Sequence, residues 1–206
     1  MTITLHQALF YSGALLVIFL TPGPVWLAML ARTVSGGFAA AWPLAVGVAL
    51  GDAFWSVLAL VGMSWVVEHV AGFLTVLRWV AAAMFAFMGA MLIRHAKAGI
   101  SQNSKLTRPG RWAGFVVGVV AILGNPKAIL FYMGVVPGFF ALDTITPADI
   151  AVIALLSALC PMIGNLILAA FVGRVRRLIS SPAAMTRMNR IAGSLMLAVA
   201  VLIALI

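Results

Sequence analysis

The sequence predicts an all-α, polytopic membrane protein of six transmembrane helices, arranged as two inverted repeats of three. Three observations carry this expectation. The first is composition: 65% of the 206 residues are hydrophobic and only 8% are charged, whereas a soluble domain carries about 25% charged residues. So few charges cannot cover a water-facing surface. The second is the set of apolar runs at about 6–31, 38–67, 71–93, 112–137, 148–173 and 189–206. A helix needs about 20 apolar residues to cross a bilayer, whereas a barrel strand needs about ten and alternates. The third is an alternation of charge between the runs.

That alternation orients the chain. The link after the first run carries Arg32, and the second carries Glu68. The third carries Arg94, Lys97, Lys105, Arg108 and Arg111. The fourth has Asp143 and Asp149 without a base, and the fifth has Arg174, Arg176, Arg177, Arg187 and Arg190. Bases gather in cytoplasmic loops, so six spans put both termini on the outer, periplasmic side. The net charge of +9 thus reads as loop charge rather than as a nucleic-acid surface. Arg78 lies within the third run and reads as a snorkelling side chain. No Lys or Arg precedes Arg32, so the first run lacks the basic start of a signal peptide and reads as a retained span. The chain is expected to form one transmembrane domain over residues 1–206. Repeat one covers about 1–93, a cytoplasmic loop about 94–111, and repeat two about 112–206.

The runs are interrupted at matched depths. Thr21, Pro22, Gly23 and Pro24 break the first, and Asn125-Pro126 breaks the fourth. Gly51-Asp52 in the second, and Pro161 with Gly164-Asn165 in the fifth, are expected to form a second matched pair. These positions lie about 14 residues inside their spans, or about 21 Å along a helix, well inside a core about 30 Å thick. Proline removes a donor and displaces the carbonyl one turn back. Backbone groups freed in lipid persist only against protein or a water-filled cavity. Paired, interrupted spans in corresponding halves point to a transporter's binding site.

Asp52 is the acid placed well inside a run, since Glu68, Asp143 and Asp149 fall at run ends. A charged Asp at mid-bilayer costs about 2.5–3.5 kcal/mol, so it should face the bundle as a proton or cation site. Lys127 follows at similar depth, with three roles open: pairing with Asp52, binding a substrate carboxylate, or snorkelling outward. Gly47 and Gly51, like Gly114 and Gly118, have the spacing of close helix packing, and such faces permit a homodimer. The tryptophans read as interfacial anchors or packing. His6, His69 and His95 fall at run ends, none is spaced with another metal ligand, and the single Cys160 excludes an internal disulfide. No metal, cofactor or enzymatic activity is expected.

The stretch "TPGPVWLAMLARTVSGGFAAAWPLAVGVALGDAFW" resembles the amino-acid exporters of the LysE/RhtB type, with a T-P-G-P segment in the first span and G-x-x-x-G-D in the second. "LGNPKAILFYMGVVPGFF" and "MNRIAGSLMLAVAVLIAL" resemble that family's second-half N-P-K segment and last span. The resemblance covers essentially the whole chain. Val25 stands where many relatives carry asparagine, which removes a polar contact. The resemblance implies a secondary active exporter of amino acids or related small metabolites in the bacterial inner membrane, driven by the proton gradient. It implies that Thr21, Pro22, Gly23 and Pro24 line one break and that Asn125, Pro126 and Lys127 line the other. Asp52 is then the coupling acid. Asn165 is expected on the substrate from its place in the interruption of the fifth run, not from the resemblance. In this reading half-helix N-termini receive a substrate carboxylate and freed carbonyls its ammonium. The competing expectations are an exporter of a cation or toxic metabolite, and a non-transporting membrane subunit.

Overall fold

The structure is a computed structural model and describes residues 2–21, 23–69, 72–96, 110–179 and 182–205. Pro22 and most of the expected cytoplasmic loop, with Lys97, Lys105 and Arg108, lie outside the described residues, as do the side chains of Glu68, Arg78, Arg174, Arg176 and Arg177.

Among the described residues the chain is all-helical. Helix α1 (Leu5–Leu20) begins at Thr4, whose side chain accepts from Gln7 N while the Gln7 side chain accepts from Thr4 N. This reciprocal pair satisfies two of the orphan donors of a helix start. Helix α2 (Pro24–His69) contains one non-helical residue, Gly37, with φ 68° and ψ −168°. Only glycine adopts that conformation without strain, so the first link of the chain lies at Gly37. Arg32, expected in that link, lies instead inside the helical stretch before it. Then follow α3 (Phe73–Arg94), α4 (Arg111–Leu123), α5 (Pro126–Gly134), the single turn α6 (Val136–Phe139), α7 (Pro147–Ile179) and α8 (Pro182–Leu205).

Helix α2 is the centre of the bundle, packing against α4 and α7, while α1 leans on α7. Helices α3 and α8 pair with each other and meet the rest mainly through α5. Apolar side chains such as Leu9, Phe87, Val120 and Ile167 point outward, while Asp52, Asn125, Lys127 and Asn165 are buried. Apolar outside and polar inside is the arrangement of a chain whose solvent is lipid. Among the described residues, Pro24–Gly62 and Pro147–Val172 are long and apolar enough to cross a bilayer, and α4 with α5 and α6 makes a third such unit bent by 55°.

Two of the four expected interruptions are present. The chain stops at Leu20 and restarts at Pro24, and stops at Leu123 and restarts at Pro126. The other two are not: α2 is helical through Gly51-Asp52, and α7 is helical through Pro161, Gly164 and Asn165. A single proline removes one hydrogen bond, and in a bilayer no water competes for the remaining ones, so the helix continues.

The contact of α2 with α4 is set by glycine. A Cβ on Gly47 would stand 2.2 Å from the Phe115 carbonyl oxygen, and one on Gly118 would stand 2.2 Å from that of Leu44. Each helix thus presses its backbone into the other's glycine groove. Gly51, one turn beyond Gly47, rests on Ile122, and this brings Asp52 beside the end of α4.

Candidate functional site

The two interruptions are helix stops and starts written in local chemistry. At the end of α1 the Thr21 N–H and hydroxyl both donate to the Val17 carbonyl, at 3.2 and 2.9 Å. At the start of α5, Asn125 is the N-cap and accepts from Lys127 N at 3.2 Å, with Pro126 in the first turn. Asparagine at the cap and proline just after it are the residues a helix start favours.

Both ends face a single cavity. Ile18 and Phe19 of α1 line it together with Val25, Trp26, Val48 and Asp52 of α2 and Ile122 of α4. Asn125, Lys127, Ala128, Phe131 and Tyr132 also line it, as do Pro161 and Asn165 of α7. The cavity volume is about 50 Å³. Asp52 is 4% exposed and Asn165 1% exposed, so both polar groups are withdrawn from lipid. The Asn165 Oδ1 atom is buried without a hydrogen-bond partner. Such an orphan costs about 1–3 kcal/mol and marks a place where a ligand group or an ordered water is wanted.

The carbonyls released at the end of α1 are already occupied. The Lys127 ammonium reaches across from α5 and donates to the carbonyls of Ile18, at 2.9 Å, and Thr21. The Trp26 indole N–H donates to the Phe19 carbonyl at 2.6 Å. Its ring also packs on Phe19, with centroids 6.0 Å apart. Phe19 in turn lies on Gly164, where a Cβ would come within 2.7 Å of the ring. A cation at a helix C-terminus also meets the partial negative charge of that end. Of the three roles left open for Lys127, the structure shows none as its hydrogen bonding: it caps α1. Asp52 lines the same cavity as Lys127 and Tyr132.

Ser157 Oγ lies 2.6 Å from Tyr11 Oη, and both side chains are buried. Tyr11 is enclosed by Phe131, Phe139 and Phe140, at centroid distances of 6.3, 5.7 and 5.3 Å. Of this aromatic cluster, Phe131 also lines the cavity.

A family model, LysE type translocator, matches residues 16–205. The chain belongs to the LysE type translocator family. The match spans all the cavity-lining residues of this translocator. It is 31% identical over 189 residues to the "Uncharacterized membrane protein slr1627" of Synechocystis sp., covering 92% of this chain and 91% of that one. It is 29% identical over 121 residues to the "Leucine efflux protein" of Salmonella typhimurium, covering 59% of this chain and 57% of that protein's length. No solved structure matches. The family is one of membrane translocators rather than enzymes.

The residues singled out from the sequence divide into three groups. Asp52, Asn125, Lys127 and Asn165 line the translocator's cavity. Thr21 is buried behind it and reaches it through the carbonyl that holds Lys127, and Gly23 packs on the Lys127 ammonium. Pro24 is exposed and Pro126 half-buried, and neither lines the cavity; they start helices, and Pro22 lies outside the described residues. Trp26, Tyr132 and Ser157 carried no functional reading in the sequence, because an aromatic or serine in an apolar run has the pattern of ordinary packing. Arg32 is also buried, donating from Nε to Ala40 O at 2.8 Å and from Nη2 to Gly110 O at 3.0 Å. Asp149 is buried too, accepting from Thr2 N at 2.9 Å and Ile3 N at 3.2 Å, so this run-end acid fastens the N-terminal segment to α7.

Proposed function

We propose that this translocator exports small neutral amino acids or close derivatives across the bacterial inner membrane, by alternating access coupled to an inward flow of protons. The observation that carries the reading is the meeting of both helix interruptions and Asp52 in one cavity among apolar helices. Lining by Ile18, Val25, Val48, Ile122 and Phe131 suits an aliphatic side chain, and the efflux named for the Salmonella relative is of leucine. Six spans as two inverted halves, over about 1–93 and 112–206 with both termini periplasmic, suit the charge alternation and the paired breaks. A cavity of about 50 Å³ is smaller than the ~300–1,000 Å³ of a small-molecule site, so cargo entry requires helices to part.

Asp52 accepts a proton from the outer side and yields it to the inside, biasing which face is open. Asp52→Asn keeps the shape and hydrogen-bonding capacity of the side chain and removes its proton exchange. In vesicles carrying an imposed proton gradient, this variant is expected to insert normally and to lose gradient-driven leucine movement. Undiminished gradient-driven transport by Asp52→Asn would reject the coupling role. Comparing intracellular metabolites in cells with and without the protein identifies the depleted compound, and depletion of a cation or non-amino-acid solute would redirect the substrate assignment.

A further inference from the structure

The last turn of α1 is a cation site that already has an occupant. Two main-chain carbonyls, Ile18 and Thr21, converge on the Lys127 ammonium, and Gly23 packs beside it, where a Cβ would stand 3.5 Å from Nζ. The turn collects the negative end of the helix dipole, and the lysine comes from α5, more than a hundred residues further along the chain. Lysine suits a removable occupant: its ammonium is compact and its stem flexible. Asp52, a buried acid, lines the same cavity as Lys127, which gives that ammonium a second place to go.

We propose that Lys127 is a tethered occupant of a preformed primary-ammonium site, and that the amino group of the cargo takes this site by displacing Lys127 towards Asp52. The inference rests on the amino-acid export reading and deepens it. When cargo binds from the inside, its ammonium replaces that of Lys127 on the two carbonyls. The displaced lysine pairs with the Asp52 carboxylate, whose proton leaves to the inner water. When cargo departs outside, Lys127 returns to α1, and Asp52 takes a proton from the outer water. One cargo molecule out and one proton in follow from the exchange of two ammonium groups at one site.

The test uses the full-length protein in lipid nanodiscs. Lys127→Ala deletes the atoms of a propylammonium ion. Its melting temperature is expected to rise saturably with n-propylammonium chloride and not with tetramethylammonium chloride, which matches the ionic strength and cannot donate a hydrogen bond. The wild type should respond to neither. Equal responses of Lys127→Ala to the two salts would overturn the site. Leucine should bind Lys127→Ala about tenfold more tightly than the wild type, the order of one hydrogen bond to a charged group. Isocaproate, which lacks the amino group, should bind both equally. Leucine without tightening, or isocaproate tightened as much, would overturn the displacement. If Lys127→Ala does not fold, Lys127→Met keeps the stem's packing and removes the competing charge; the same tightening of leucine is expected, and its absence counts against the proposal. Leucine bound by neither protein while propylammonium still binds would reject the amino-acid reading and leave the ammonium site standing.

Discussion

Gly118 offers a measurable test of how closely α2 and α4 must approach. In Gly118→Ala the new Cβ would sit 2.2 Å from the Leu44 carbonyl oxygen, 3.0 Å from its carbonyl carbon and 3.1 Å from its Cα. Ordinary contact begins at 3.4 Å, so the helices must part by about 1.2 Å. All three neighbours are main-chain atoms, and no rotamer change relieves the clash. Overpacking of this kind costs about 1–3 kcal/mol, which for a chain of this size lowers the melting temperature by roughly 2–12 °C. Because α4 carries Ile122 into the cavity, the proposed transport should fall as well. Thermal unfolding in nanodiscs, followed by tryptophan fluorescence, reads the effect, with Gly23→Ala as control because its Cβ would meet only Lys127 at an ordinary 3.5 Å. Truncating Leu44 to alanine should give no rescue, since the obstacle is its carbonyl. Gly51→Ala is different: its Cβ would stand 2.1 Å from Ile122 Cγ2, so Ile122→Ala should cost less in that background than in the wild type. A Gly118→Ala protein that melts and transports like the wild type would refute this account of the interface.

Two further outcomes follow from buried polar contacts. Ser157→Ala removes the hydroxyl 2.6 Å from the buried Tyr11 Oη and should cost about 1–3 kcal/mol; made on top of Tyr11→Phe it should cost much less, and thermal melts of the four proteins measure the difference. Arg32→Lys should lower the melting temperature nearly as far as Arg32→Ala, because a single amine cannot supply the guanidinium's separate bonds to Ala40 O and Gly110 O; a lysine variant as stable as the wild type would count against that role.

The sequence by itself determined the solvent of this protein, its helical class and the two places where its helices break. Each is a local matter. Scarce charge and long apolar runs act residue by residue, and Thr21, Pro24, Asn125 and Pro126 stop or start helices through bonds that reach no more than one turn. The same local logic over-read Gly51-Asp52 and Pro161, because glycine and proline weaken a helix in water more than in lipid. Tertiary structure alone decided what fills the gaps. Lys127 bonds to carbonyls 106 and 109 residues away, and Asp149 to the amides of Thr2 and Ile3, 147 and 146 residues away. Trp26 turns its indole back onto Phe19, and Arg32 is drawn in from a link to bind Gly110. In a medium without water every freed carbonyl must find a donor within the protein, and which donor arrives depends on how the helices pack.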